Sequence, residues 1–358
     1  MSTPPLVADP ELVTAEWLTD VLRHSDAIGE GTKVASFEHH SIGTGQVGDN
    51  VRYTLTYQGE PGPASIVCKF SSRDPQTAAA GVQTRTYDTE IAFYRDLAHT
   101  VDISRPRCHL AALEPGTANV VLVMEDLAPA EQGDQIEGCT VKQATLAVDE
   151  AAKLHGPRWG DPTLGELAWL DRSATSGGMM LMLGVIWEGF VDRYRATLDP
   201  VTIDVGDELV ASIDKLRAHE PPVKTVVHGD YRLDNILFGT EAGGRPLTVV
   251  DWQTVQLGLG PADVAYFLGN AFSPEVRRAC ERDLVARYHD ALLGYDVRGY
   301  SFDQCWNDYR RSSYSSLIMA IVASMLVGRT DRGDTMFMAM ANRSAAMAND
   351  LDAAAFLA

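Results

Sequence analysis

Long apolar runs are missing from this sequence. The longest, Leu317 to Val327, is interrupted by Ser324 and falls short of the ~20 residues that cross a bilayer, so it reads as a buried helix and no membrane is expected as a partner. The opening Met-Ser-Thr-Pro-Pro carries neither a basic n-region nor an apolar h-region, so no signal peptide is visible. Cysteine is sparse as well. Cys68, Cys108, Cys139, Cys280 and Cys305 are scattered, odd in number and without C-x-x-C spacing, which suits a reducing cytoplasm and free, mostly buried thiols. Basic residues are outnumbered, 30 Lys and Arg against 49 Asp and Glu, and a net charge of −19 argues against nucleic acid as a main partner. That excess is −8 over residues 1–127 and −11 over residues 128–358. A trap for a cationic substrate would concentrate it; this distribution speaks for solubility. There is also no internal repeat, no low-complexity linker and no G-x-x-x-x-G-K-[ST], so a Walker-type NTPase is not supported.

What is present is an ordinary globular balance, 45% apolar and 22% charged, in 358 residues, enough for two lobes. A short helix is expected over Glu11 to Leu22, with Leu12, Trp17, Leu18 and Leu22 as its apolar positions. Strand character follows from Phe37 to Ile42, at Val51, Tyr53, Leu55 and Tyr57 in period two, and over Ile66 to Phe70. Thr86 to His99 has helical spacing, and two strands are expected near Arg107–Glu114 and Val120–Met124. Met124 to Pro129 breaks the pattern. It is the expected boundary between an N-terminal lobe, residues 1–127, and a C-terminal lobe, residues 128–358, that is mostly helical except around Val226–Phe238 and Leu247–Asp251. Strands with one helix among them, then helices, give an α+β fold with segregated layers.

Gly43, Gly45 and Gly48 satisfy G-x-G-x-x-G, a weak pattern alone. In a dinucleotide-binding fold it would open a helix. Here Asp49-Asn50 leads into a period-two strand, so the loop joins two antiparallel strands, either as a flap whose backbone N–H groups cover phosphates or as a plain hairpin turn. Lys69 ends an apolar strand, where its charge is costly unless paired. Phosphate oxygens and Glu90, which borders the stripe of Tyr87, Ile91 and Tyr94, would pair it; the bland alternative is a snorkelling lysine and a solvated glutamate.

The most informative stretch runs from Val226 to Phe238, where two apolar runs flank the polar loop His228-Gly229-Asp230-Tyr231-Arg232-Leu233-Asp234-Asn235. Phosphoryl transfer from ATP asks a protein for in-line positioning, an acceptor for the hydroxyl proton and oxygen ligands for Mg²⁺. Asp230 can accept the proton, and the amide oxygen of Asn235 can be a ligand. Sixteen residues after Asn235, the apolar strand Leu247 to Val250 ends in Asp251, whose charge a Mg²⁺ contact would balance.

These segments resemble the aminoglycoside phosphotransferase/choline kinase superfamily, relatives of the protein kinases. His228-Gly229-Asp230 with Asn235 matches its H-G-D-x₄-N, and Asp251-Trp252-Gln253 is similar to its D-[WF]-[EQ]. Gly229 and Trp252-Gln253 differ from H-R-D and D-F-G and point to the small-molecule branch. The resemblance implies a bilobal protein-kinase-like fold and a cytoplasmic, ATP- and Mg²⁺-dependent phosphotransferase acting on a small hydroxylated substrate. It implies that Met124 lines an adenine pocket, that the Glu125 carbonyl and Leu127 N–H bind the adenine edge, and that Asp263 anchors the catalytic loop. Ala151 to His155 and Trp159 to Pro162 resemble the CHK-like, ecdysteroid-kinase-like subset. An inactive nucleotide-binding module is the alternative, countered by the presence of Lys69, Glu90, Asp230, Asn235 and Asp251 together. A protein kinase is disfavoured, because no A-P-E-like segment follows Asp251. Residues 163–222 and 295–358 match in helical character alone. There Met179, Met180, Met182 and Trp187 line either a pocket or a core, and Arg310 and Arg311 meet either an anionic substrate or an acidic partner. The acceptor, the choice between ATP and GTP, and the oligomeric state are not written in the sequence.

Overall fold

The structure, a computed structural model, describes residues 3–43, 48–172, 178 and 180–357. It divides into two compact units, one of Met1–His99, Arg105–Ala128 and Val250–Thr254, the other of Thr100–Ser104, Pro129–Val249 and Val255–Ala358.

The first unit is built on an antiparallel sheet of β1 (Lys33–Ile42), β2 (Gly48–Gln58), β3 (Ser65–Ser71), β4 (Cys108–Leu113) and β5 (Val120–Glu125), in the order β1-β2-β3-β5-β4. The period-two sequence of β2 and β3 explains their burial: Val51, Tyr53 and Leu55 face one way with Ile66, Cys68 and Phe70. These side chains pack on α1 (Ala15–His24), which buries Trp17, Leu18, Val21 and Leu22. The helix starts later than its apolar spacing suggested, because Thr14 caps it by accepting the Trp17 N–H at 3.1 Å. Leu12 is left in a preceding 3₁₀ turn and is exposed. Between β3 and β4 lie α2 (Pro75–Gln83), capped by Asp74, and α3 (Thr86–Ala92), which continues through a π turn, Phe93–Leu97. Tyr87, Ile91, Tyr94 and Ala98 are all buried, as the helical spacing required.

His109 on β4 is buried and hydrogen-bonded through Nδ1 to the Ser25 hydroxyl at 2.8 Å. Burial, with the Arg107 charge behind it, lowers its pKa to about 4. Above pH 6.5 the ring is neutral folded or unfolded. As pH falls from there to 4 the unfolded chain takes a proton that the folded chain refuses, so stability is lost over that window. A shift of this size corresponds to about 3 kcal/mol. His109→Gln should flatten the decline in urea-melt stability between pH 6.5 and 4; an unchanged slope would assign the acid sensitivity elsewhere.

The second unit is mostly helical. In chain order it has β6 (Glu131–Gln132), α4 (Val141–His155), α5 (Leu183–Tyr194), α6 (Pro200–Ala211), α7 (Ile213–Arg217), β7 (Thr225–Val227), β8 (Ile236–Thr240), β9 (Gly243–Val249) and β10 (Gln256–Gly258). Five helices follow: α8 (Gly260–Ala271), α9 (Pro274–Leu293), α10 (Phe302–Arg311), α11 (Ser315–Leu326) and α12 (Asp331–Asp350). β7 pairs with β10, and β8 lies between β6 and β9. The core gathers α5, α6, α8, α11 and α12 around Trp187, Phe190, Leu209, Tyr266, Leu317, Ile321, Phe337 and Ala341. Trp187 is thus core, closed over Gly206 and donating its indole N–H to Asp207 at 2.7 Å, while Met182 is exposed and Met179 lies outside the described residues. Arg310 binds the Leu351 carbonyl at 2.7 Å, and both Arg310 and Arg311 lie over the Phe356 ring. These arginines tie down the C-terminal turn. The cysteines are free, but two of the five, Cys68 and Cys305, are buried and the rest half-buried, fewer than expected. Among the described residues no helix is long and apolar enough to cross a membrane.

Candidate active site

In the first unit, β3 delivers Lys69 and α3 delivers Glu90. The ammonium lies 2.8 Å from Glu90 Oε2 and 3.1 Å from Asp251 Oδ1, in the segment that follows β9 in sequence. Buried alone, the amine would be pushed toward neutrality; the two carboxylates outweigh that and raise its pKa. Burial holds the Glu90 carboxyl above its ordinary value despite Lys69. Asp251 adopts φ +66°, a left-handed backbone that Asp tolerates better than most residues. Two contacts fix that turn. Trp252 stacks on Phe93 at 4.0 Å, and its backbone N–H donates to Glu90 Oε1 at 3.2 Å. Gln253, in the amide orientation that satisfies both ends, donates to Asp251 Oδ1 at 3.2 Å and accepts from Lys69 at 3.1 Å.

The glycine pattern is split by what is described. β1 and β2 form the expected antiparallel hairpin, with Gly43 at φ +72° just past β1 and Gly48 opening β2, where a Cβ would lie 2.7 Å from the Phe70 carbonyl oxygen. Gly45 falls outside the described residues. Met124 ends the buried run of β5 and accepts a hydrogen bond from the Tyr94 hydroxyl at 3.6 Å. Glu125 accepts the Arg107 N–H at 3.0 Å through its carboxylate, and Leu127 is half-buried just beyond the strand.

In the second unit the loop from β7 to β8 is tied down by Asp263 on α8. Its carboxylate accepts the backbone N–H of His228 at 2.6 Å and of Gly229 at 2.9 Å, the anchor that the resemblance implied. His155 Nε2 lies 3.1 Å from the same carboxylate, and His155 Nδ1 lies 2.8 Å from the Tyr288 hydroxyl. With the Asp263 carboxylate accepting, Nε2 is the donor of that contact, and a neutral His155 ring would accept the Tyr288 hydroxyl at Nδ1. Asp263→Ala would strand these buried donors and should cost about 3–5 kcal/mol in urea unfolding; a loss below about 1 kcal/mol would mean that the loop is held by other contacts.

Asp230 sits on the loop so anchored. Its Oδ2 accepts from Arg232 Nε at 3.0 Å and Asn235 Nδ2 at 2.9 Å, and its Oδ1 from the Tyr266 hydroxyl at 2.7 Å. Burial would raise this carboxyl, but the Arg232 guanidinium and the Tyr266 hydrogen bond hold it below the ordinary 3.8. The Asn235 amide nitrogen faces Asp230, so the amide oxygen is the end available to a cation. Arg232 also bonds Asp234 at 2.9 Å, and Arg332 reaches Asp234 at 3.3 Å. Tyr266 and Arg332 were not singled out in the sequence, and Arg232 and Gln253 stood there only as members of their motifs, without a role of their own. Tyr266 had a signal: it follows Asp263 by three residues on one helix, so the two share a face.

An antiparallel sheet with its lysine strand and helix, joined in sequence to a helical unit carrying an aspartate–asparagine loop, is the α+β arrangement of protein-kinase-like phosphotransferases. Residues 52–300 match the phosphotransferase enzyme family, and the chain belongs to it. Solved structures of the same fold include choline kinase from Cryptosporidium parvum Iowa II, at TM-score 0.58 and 10% identity over 95% of each chain. They also include a point mutant of aminoglycoside 2'-phosphotransferase-IIIa in complex with GDP, at TM-score 0.52 and 15% identity over 95% of this chain and 99% of that one. A candidate aminoglycoside phosphotransferase from Ralstonia eutropha JMP134 has TM-score 0.52 and 16% identity over 94% and 98%. At identities this low the likeness shows the fold alone. No curated protein matches the chain.

Proposed function

We propose that this protein is an ATP- and magnesium-dependent phosphotransferase that moves the γ-phosphoryl group to a hydroxyl of a small molecule in the cytoplasm. The observation that carries the reading is Lys69, 2.8 Å from Glu90 and 3.1 Å from Asp251. A lysine held between two carboxylates is an oriented cation for phosphate oxygens, and family membership gives that cation its use. The glycine pattern of Gly43, Gly45 and Gly48 is the proposed cover for the phosphates. Met124 lines the adenine pocket, and the Glu125 carbonyl and Leu127 N–H take the base edge. One solved relative is a GDP complex and another is a choline kinase, which supports a nucleotide and an alcohol here.

Asn235 and Asp251 are the proposed magnesium ligands. Both offer oxygen, the donor that this hard cation prefers, and magnesium usually takes one or two carboxylates together with phosphate oxygens and water. The remaining positions of the shell would fall to phosphate oxygens and water. The bound ion would neutralise charge on the phosphates. Asp230 receives the proton of the attacking hydroxyl. Its lowered pKa keeps it ionised and ready at neutral pH, although a weak base. Weak basicity suits a loose transition state, in which the hydroxyl proton is released late.

The test is an ATP-consumption screen over alcohols, sugars, aminoglycosides, macrolides and sterols, with the Asp230→Asn protein as blank. Consumption that depends on one class of alcohol supports the reading. Tight Mg·ATP binding with no consumption across the library would favour an inactive nucleotide-binding module.

A further inference from the structure

The catalytic aspartate has two oxygens, and the structure treats them differently. Oδ2 receives two donors, the Arg232 Nε–H at 3.0 Å and the Asn235 amide N–H at 2.9 Å. A carboxylate oxygen offers about two lone-pair directions, so Oδ2 is saturated. Among the described residues Oδ1 receives one donor, the Tyr266 hydroxyl at 2.7 Å. One direction remains on it.

Tyr266 is well placed to fix that oxygen. It is buried on α8, three residues after Asp263, which grips the backbone of His228 and Gly229. Four residues later Asn270 donates its amide to the Tyr266 carbonyl at 2.7 Å. One helix therefore sets both the height of the catalytic loop and the rotation of the Asp230 carboxylate. Arg232, held in turn by Asp234, and Asn235 complete the clamp.

We propose that Tyr266 is a positioning residue for the transfer, fixing Asp230 Oδ1 as the atom that takes the acceptor's proton; this rests on the phosphotransferase reading above. In the step it serves, the acceptor oxygen bonds to the γ-phosphorus. The bond from that phosphorus to the β–γ bridging oxygen breaks, its electron pair leaves with ADP, and the acceptor's proton passes to Oδ1. Tyr266 keeps its own proton throughout, and Oδ2 keeps its two donors.

Tyr266→Phe removes the hydroxyl and leaves the buried ring. The probe is Mg·ATP with water as acceptor, read as phosphate release, and then with any alcohol that the screen finds. The expected result is a fall in kcat of about 10- to 100-fold, the scale of a misplaced catalytic group, with KM for ATP within about 3-fold. Adding Tyr266→Phe to Asp230→Asn should cost nothing further, because the hydroxyl acts through that carboxylate. Tyr309→Phe in α10, which loses a buried hydroxyl that donates to Glu281 in α9, should leave kcat unchanged. An unaltered kcat in Tyr266→Phe, or an equal loss in both Asp230 backgrounds, overturns the inference. Failure of the broader reading shows separately, in wild-type protein that neither binds nor turns over Mg·ATP; that result removes the inference with it.

Discussion

Asp251→Asn should erase the magnesium-dependent part of ATP binding. In calorimetry the wild-type protein should bind ATP about 100-fold more tightly with magnesium than with EDTA, a difference of about 2.7 kcal/mol. The variant should bind weakly and equally in both. Asparagine is the informative replacement because it tolerates the φ +66° backbone as aspartate does, so the turn survives while the charge is lost. Alanine would add backbone strain to the missing ligand. The change also removes one of the two carboxylates on Lys69, but Glu90 at 2.8 Å remains to hold the ammonium. Any loss through Lys69 should weaken ATP with and without metal alike, whereas loss of a ligand acts through the metal alone. A variant that still responds to magnesium would take Asp251 out of the metal's shell.

Asp230→Asn is expected to lower kcat by about 1000-fold, within the usual range for a general base, and to leave the affinity for Mg·ATP within about 3-fold. The amide is nearly isosteric. It can still accept from Tyr266, but it then presents an NH2 group to the Arg232 and Asn235 donors that Asp230 Oδ2 now receives. Some destabilisation of the loop should follow, with the Asp263 anchor holding its backbone. Single-turnover rates measured beside ATP affinity separate the two effects. A variant with wild-type turnover would remove Asp230 from its assigned role; one that fails to bind ATP would make the residue structural instead.

Much of the fold was legible because its signals were local. Period two in Val51, Tyr53 and Leu55, followed by a turn cluster and Ile66 to Phe70, leaves few pairings other than a hairpin. The partnership of Lys69 with Glu90 was readable from a costly charge on an apolar strand and a carboxylate beside a helical stripe. What escaped was decided by caps and by long-range packing. Asp74-Pro75 is a cap followed by proline at the first helical position, a visible start signal for α2 that its low apolar content obscured. Leu12 fits the apolar period of α1 but precedes the Thr14 cap, so it stays in solvent. Trp187 and Met182 sit five residues apart in one apolar stretch, yet one is core and the other exposed, because α6 approaches only the first closely enough to need Gly206. The donors that orient Asp230 and Asp251 were the least visible of all. Tyr266 is an ordinary residue in sequence and Gln253 is visible only as the last member of its motif, and the meaning of both as donors comes from the carboxylates that folding brings to them.

The most direct measurement is to follow the label from γ-³²P-ATP with magnesium and a pooled library of alcohols, using wild-type and Asp230→Asn protein side by side. The account predicts a labelled phosphate monoester of one alcohol with the wild-type protein and almost none with the variant. Label that stays on ATP, appears only as inorganic phosphate, or reaches the alcohol equally with both proteins would contradict it.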